Sequence, residues 1–288
     1  MLSPFWRHRI LLLLGIALCA AMFVWVGQTF QIPVALSGSL LQQPSSDLAL
    51  IIVAVTFFAA TLVGSAIAGS VRFDGGLFCA CLALEALSLR NGGTMRDVLF
   101  ASSSRSIFLA LAIEVALLGL LVWCGWRLQW MLFRRGWLKE DSDRDGVILA
   151  EDEFDLKAIA LAAQVVVMTL LMLLLSQTDQ KKQVLAAVGA SATAGSIAAF
   201  LAAPTQPSVW YWIGPFVVAI IGYLATYIAP IGWESGGPRG PLANLARPLP
   251  IDYASVGTAG AILGYWMSRR WQRNRDEAEE EASDAAQV

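Results

Sequence analysis

The chain has 288 residues, a formal net charge of −2, and a composition of 57% hydrophobic and 15% charged residues. With a mean hydropathy of +0.62, this composition is that of a membrane protein and leaves little polypeptide outside lipid for a separate catalytic body. The net charge of −2 argues neither for nor against a nucleic-acid partner, and we predict none.

Long apolar runs recur along the whole chain, each near the roughly 20 residues that a helix needs to cross a hydrocarbon core. They cover residues 10–30, 48–68, 107–126, 158–175, 184–203, 209–229 and 254–267. We therefore predict an all-α, polytopic transmembrane helix bundle. The first run follows a basic segment like a signal peptide does, but it is longer than an h-region and lacks a small-x-small site, so we interpret it as an uncleaved span.

The segment 69–90 decides the number of spans. Its apolar core, 77–89, contains Glu85 and is short enough for a re-entrant helix. If it spans, there are eight crossings, both termini are cytoplasmic, and 12 of the 20 Lys and Arg residues lie inside against 7 outside. If it does not, seven crossings divide them 10 to 9. Because cytoplasmic loops carry an excess of Lys and Arg, we predict eight spans in a plasma or inner membrane.

Four parts follow from this pattern. N-terminal spans occupy 1–126, a cytoplasmic loop occupies 127–156, and C-terminal spans occupy 157–271. The Glu- and Ala-rich remainder, 272–288, reads as a disordered acidic tail. The proline-rich stretch 231–252 is predicted to be an irregular external loop.

Small residues mark the faces on which these helices pack, since helices in lipid associate by close contact. In the run 184–203 two rows of small residues recur every four positions: Ala187, Ser191, Gly195, Ala199 and Ala203 in one, and Ala186, Ala190, Ala194, Ala198 and Ala202 in the other. We expect another helix of the same chain to pack there, with a homo-oligomer or a different membrane-protein partner as the alternative.

An acidic stretch at 141–152 carries the clearest chemical signal. Calcium takes six to eight hard oxygen ligands, and alternate side chains such as Asp141, Asp143 and Asp145 can turn inward together, with Gly146 permitting the sharp turn. The pattern resembles an EF-hand-type calcium loop, and Asp152 at its last position resembles the dockerin variant of that loop.

The resemblance covers these 12 residues and implies that Ca²⁺ is bound by Asp141, Asp143, Asp145, the carbonyl of Val147, and Asp152. A weak Mg²⁺ site and a plain acidic linker are the alternatives. The preceding basic and aromatic segment, 127–139, resembles an interfacial helix lying on anionic membrane lipids. Calcium binding next to it would change that attachment.

Glu114 and Glu85 are the two acids within apolar segments. Such an acid costs about 2.5–3.5 kcal/mol to insert and usually faces a bundle interior or water. One hypothesis is a proton- or ion-coupled site; the other, which we favour, is a Glu hydrogen-bonded to a neighbouring helix. Gln164 is the predicted polar neighbour of Glu114.

Enzymatic function is the third choice. The only histidine is His8, so histidine-dependent proteolysis and HExxH zinc chemistry lack their parts. Carboxylate catalysis by Glu85, Glu114 or Asp252 is what remains. The sequence thus predicts a non-catalytic scaffold or assembly component with a calcium-responsive loop; a small transporter or channel is the alternative.

Overall fold

The computed structural model describes residues 4–28, 39–43, 46–91, 93–100, 102, 104–135, 154–204, 209–229, 233–234, 237–238 and 242–286. Its helices are α1 Pro4–Gly27, α2 Ser46–Ala68, α3 Gly75–Asn91, α4 Met95–Phe100, α5 Ile107–Arg134, α6 Phe154–Leu175, α7 Lys181–Ala202, α8 Val209–Trp212, α9 Gly214–Ile228, α10 Pro250–Asp252 and α11 Thr258–Ala286. A π-turn, Tyr253–Gly257, joins α10 to α11, and a 3₁₀ turn covers Asn244–Ala246. Two-residue strands, Trp233–Glu234 and Gly237–Pro238, pair antiparallel.

The protein is an all-α membrane bundle, as the sequence predicts. Six of the helices in the described part of the chain are long and apolar enough to cross a membrane: α1, α2, α5, α6, α7 and the continuous pair α8 and α9. Large apolar side chains such as Leu174 and Ile228 remain on the outside of the bundle, where lipid would cover them. The other two predicted spans, in α3 and α11, are also helical.

Helix α3 runs antiparallel to the last helix along the whole apolar length of both. At its start, Trp266 Nε1 donates to Asp74 Oδ1 at 2.7 Å, and the rings of Phe78 and Trp266 lie 4.8 Å apart. At its end, Ser88 Oγ donates to Asp252 Oδ1 at 2.9 Å. The intervals Asp74 to Ser88 and Asp252 to Trp266 are equal, and each corresponds to about 21 Å of helix at 1.5 Å per residue.

The two ends of the bundle follow from these contacts. Phe73 packs against the rings of Trp130 and Phe133 at 5.7 and 5.4 Å between centroids, so the start of α3 lies beside the end of α5. We call this the Phe73 end and the opposite one the Asp252 end. Seven crossings would place the segment 69–106 and the segment after α5 on opposite sides; the contacts place Phe73 and Trp130 together, which fits the eight-crossing arrangement.

Helix α7 packs against α6 through the first of its two small-residue rows and against α11 at Gly189 and Thr193. Ala187, Ser191 and Ala199 are buried. A Cβ added at Gly195 would lie 3.1 Å from the carbonyl oxygen of Gln164 on α6, so the two helices approach closely there. In the second row, Ala186, Ala190 and Ala202 are exposed. The expectation of close packing within the chain is therefore confirmed for the first row and wrong for these three positions of the second.

Helix α5 is longer than its apolar run. It continues to Arg134, whereas the sequence predicts that the span ends at 126 and a separate interfacial helix follows. The extension is amphipathic: the guanidinium groups of Arg127 and Arg134 lie over the rings of Trp123 and Trp130, at 5.6 and 5.1 Å from the centroids. Each pair spans one helical turn, which favours continuation of the same helix.

Two further segments are more ordered than predicted. In the proline-rich stretch, Leu242, Ala246 and Leu249 are buried against the bundle, and the last helical stretch begins at Pro250 because proline suits the first position of a helix. The tail is helical through Ala286, although the sequence predicts disorder from residue 272. Its i,i+4 pairs of opposite charge, such as Arg275–Glu279 at 3.5 Å, support helix in water.

Substituting Gly264 by Ala should destabilise the bundle, because the added Cβ would overlap the carbonyl oxygen of Thr193 on α7. Overpacking of this kind costs about 1–3 kcal/mol. Gly189 lies at the same helix interface, but a Cβ there would sit 3.8 Å from its nearest neighbour, so Gly189→Ala is the matched control. Unfolding in detergent, followed by circular dichroism, measures both. Equal stability of the two variants would contradict this packing.

Candidate functional site

Two buried carboxylates and two serines join α3 to the start of the last helical stretch at the Asp252 end. Ser255 Oγ donates to Glu85 Oε2 at 2.6 Å, and Ser88 Oγ donates to Asp252 Oδ1 at 2.9 Å. The helices are antiparallel, so each acid is opposite the serine that follows the other acid by three residues. We call these four residues the carboxylate–serine bridge.

Asp252 is satisfied on both oxygens. Lys181 Nζ, at the first residue of α7, lies 2.5 Å from Asp252 Oδ1. Oδ2 accepts the backbone N–H of Leu249 at 2.9 Å, as an acid at the third position of a helix does for its N-cap residue. Lys181 is 13% exposed and Asp252 1% exposed, so this ion pair connects the bridge to water at the Asp252 end.

Glu85 is satisfied on one oxygen alone. Its Oε2 accepts the bond from Ser255, while its Oε1 is buried and has no hydrogen-bond partner. The residue is 6% exposed. Ser255 reaches it from the π-turn Tyr253–Gly257, a conformation that is rare and frequently found at functional sites. An unpaired buried carboxylate oxygen is costly, so a ligand bound to this atom would lower the free energy of the fold.

A second charged group closes the same end. Arg247 is buried, and its guanidinium donates to the carbonyl oxygens of Leu242 and Ser176. Asp179, between α6 and α7, lies 3.4 Å from Arg247 and also pairs with Arg96 of α4. These contacts join the connections from α3 to α5, from α6 to α7 and from α9 to α10. The eight-crossing arrangement places all three on one side.

Glu114 lies apart from the bridge and holds a non-helical segment of backbone. Its Oε1 accepts the N–H of Leu40 at 3.1 Å, and its Oε2 accepts the N–H of Leu41 at 3.4 Å and the hydroxyl of Ser39. Glu114 is fully buried and lies seven residues into α5, about 10 Å below its start. The segment 39–43 therefore dips into the bundle, where its backbone donors need partners that water cannot supply.

The prediction that Gln164 is the polar neighbour of Glu114 is wrong. Gln164 donates through Nε2 to the backbone carbonyl of Tyr211 in α8 instead. Glu114 is held by the segment 39–41 instead of by a neighbouring helix. Backbone N–H groups at membrane depth have no water to donate to, so each needs an acceptor such as this carboxylate. The preference for hydrogen-bonded Glu over a solvated one agrees with these contacts.

The predicted calcium ligands Asp141, Asp143, Asp145, Val147 and Asp152 lie outside the described residues. Within the described ranges, no group of three or more His, Cys, Asp or Glu side chains is arranged to hold a metal ion. The calcium site thus stays a prediction.

Sequence reasoning identified Glu85 and named Asp252 as a candidate, but it missed Lys181, Ser88 and Ser255. One signal was present: both acids are followed by serine at the third position, E-x-x-S at 85–88 and D-x-x-S at 252–255. That spacing puts each pair on one helix face. Lys181 could not be found in this way, because it reaches the bridge from a different part of the chain.

Comparison with known proteins adds no relative: no family model, no curated protein and no solved structure matches the chain.

Replacing Glu114 by Ala should release the segment 39–43. Two backbone N–H groups and one hydroxyl would lose their acceptor, and each orphaned buried donor costs about 1–3 kcal/mol. Hydrogen–deuterium exchange should show loss of protection at Leu40 and Leu41. Ser39→Ala is the milder control, since it leaves both backbone bonds in place. Unchanged protection in Glu114→Ala would show that the carboxylate does not hold the segment.

Proposed function

We propose that the protein is a non-catalytic integral membrane protein that acts as a scaffold or assembly component. The observation that supports this best is the use of Glu114. A transport site at that acid would need a carboxylate oxygen free for an ion, but both oxygens accept bonds from the segment 39–41. The acid in the middle of the longest apolar helix therefore has a structural task.

The outward row of α7 is the surface we assign to assembly. Ala186, Ala190 and Ala202 are exposed, and Ala194 is partly so, while the neighbouring row of the same helix is buried. In lipid, a ridge of small side chains lets a second helix approach closely. The partner we propose is a second copy of this chain, packed against the same ridge.

Enlarging that ridge should weaken self-association. We expect Ala190→Leu to reduce dimerisation of labelled protein in liposomes about tenfold, equivalent to ~1.4 kcal/mol, measured by energy transfer at controlled protein-to-lipid ratios. Ala162→Leu is the matched control, since Ala162 is an exposed alanine of α6. Wild-type protein that stays monomeric across the accessible ratios would refute assembly through this ridge.

A small transporter is the second candidate, and it now depends on Glu85. Glu85 Oε1 is unpaired and the adjacent Lys181 is partly exposed, which is the arrangement that an ion-coupled site would use. Catalysis by the pair Glu85 and Asp252 ranks third, because both acids are buried and each accepts a serine hydroxyl.

For orientation, we propose that the Phe73 end faces the cytoplasm and the membrane is a plasma or inner membrane. Arg127, Arg134 and Arg269 at this end lie over aromatic rings, as interfacial residues do. At the other end, Arg96 and Lys181 pair with carboxylates. Eight crossings place 12 Lys and Arg residues at the Phe73 end against 7 at the other, and the side with the excess of Lys and Arg is cytoplasmic, so both termini would lie there.

The loop 141–152 would make the assembly component responsive to calcium. It follows α5, whose last two turns carry Arg127 and Arg134 at the Phe73 end. If Asp141, Asp143, Asp145, the Val147 carbonyl and Asp152 bind Ca²⁺, the ion offsets half of the net charge of −4 that the loop carries. The neighbouring arginines would then interact more strongly with anionic lipid, and α5 and α6 would sense the change.

Calcium should therefore alter tryptophan fluorescence through Trp130. We expect a saturable change with Ca²⁺ that Mg²⁺ does not reproduce, because Mg²⁺ demands a smaller, octahedral site. The double variant Asp143→Asn/Asp145→Asn should abolish it, while Asp276→Asn/Glu277→Gln in the tail should not. Absence of any response up to millimolar Ca²⁺, in protein with an intact loop, would rule out the calcium proposal.

A further inference from the structure

The charges of the carboxylate–serine bridge do not balance. Glu85 and Asp252 are two carboxylates, and Lys181 contributes one ammonium group at 2.5 Å from Asp252. Both acids are nearly inaccessible to solvent, at 6% and 1% exposed, and a net charge buried at this depth is costly. One further positive charge would make the site neutral, and Glu85 Oε1 is the bridge oxygen with no partner.

The geometry points to Glu85 Oε1 as a proton-binding site, in which Glu85 carries an exchangeable proton while Lys181 and Asp252 remain an ion pair. The proton comes from a hydronium ion in the water at the Asp252 end; one of its O–H bonds breaks as one O–H bond forms on Oε1, and a neutral water molecule is left. Two neighbouring acids that share one compensating cation commonly divide protons in this way. The inference does not depend on whether the protein is a scaffold or a transporter.

The other groups that face Glu85 from the surrounding elements add no further charge to the site. Asp252 and Lys181 are the charged groups that act on it electrostatically. On α5, Glu114 is committed to the segment 39–41. Tyr253, in the π-turn, donates its hydroxyl to the carbonyl of Leu245 at 2.8 Å, and Tyr223 of α9 donates to the carbonyl of Pro248.

The remaining ionisable groups on the packed helices lie elsewhere. Arg7, His8 and Arg9 of α1, like Arg269 and Arg270 of α11, belong to the Phe73 end, some 14 residues away along the helices. Asp47 of α2 and Arg90 of α3 are exposed. Neither contributes a buried charge next to Glu85.

A proton fits this site better than a metal cation does. A hard cation takes several oxygen ligands, but the other oxygens of the bridge are engaged: Asp252 Oδ1 and Oδ2 with Lys181, Ser88 and Leu249, and Glu85 Oε2 with Ser255. Lys181 already occupies the cation position beside Asp252. A proton needs the single free oxygen that remains.

Infrared spectroscopy of the full-length protein in liposomes tests the site. A protonated carboxyl group in apolar surroundings gives a C=O stretching band distinct from that of carboxylates. We expect a Glu85 component of such a band at neutral pH, a shift of that component in D₂O, and its loss in Glu85→Gln, a variant of the same shape that resembles the protonated acid. Glu114→Gln is the matched control and should retain the Glu85 band.

Charge-changing variants give the sign of the effect. Asp252→Asn should also remove the band, because Lys181 then neutralises Glu85. Lys181→Met should add about one more protonated carboxyl, because two acids then need two protons. A band that persists unchanged in Glu85→Gln, or that is absent from the wild type, would overturn the assignment. If Asp252→Asn misfolds, Glu85→Gln and Lys181→Met still decide between these outcomes.

Discussion

The fold depends on the antiparallel contact between α3 and the last helical stretch. Residues whose numbers add to 340 face one another: Asp74 with Trp266, Glu85 with Ser255, and Ser88 with Asp252. These are hydrogen bonds between buried side chains, where each polar group needs a partner inside the protein. The short, weakly apolar α3 can stay at membrane depth because its polar side chains meet this one helix in register.

Close backbone contact holds the other half of the bundle together. Gly260 and Gly264 of α11 lie against the backbone of α7 at Gly189 and Thr193, so that helix is fixed on one side by packing and on the other by hydrogen bonds. Packing of this sort tolerates no added atom. The carboxylate–serine bridge, by contrast, joins the same helical stretch to α3 by hydrogen bonds between side chains.

Much of the fold could be predicted because a single helix carries its own signal. Apolar runs near 20 residues, the small-residue row containing Ala187 and Ser191, and the depth of Glu114 are all visible in local sequence. The partners were not predictable. Gln164 was expected beside Glu114 and instead binds the Tyr211 carbonyl, because the choice depends on which helices are neighbours. The place of Lys181 in the carboxylate–serine bridge could not be predicted for the same reason. The helical tail was missed because its composition is that of a disordered segment while its charges are spaced for helix.

Glu114 recognises the segment 39–41 mainly through main-chain amides, and an amide is the same whichever side chain it carries. The positions of Leu40 and Leu41 are thus constrained by shape alone, whereas Glu114 has no substitute among the uncharged residues that can accept as many bonds. Evolution could redesign the sequence of that dipping loop while keeping its path, provided the acid beneath it stays.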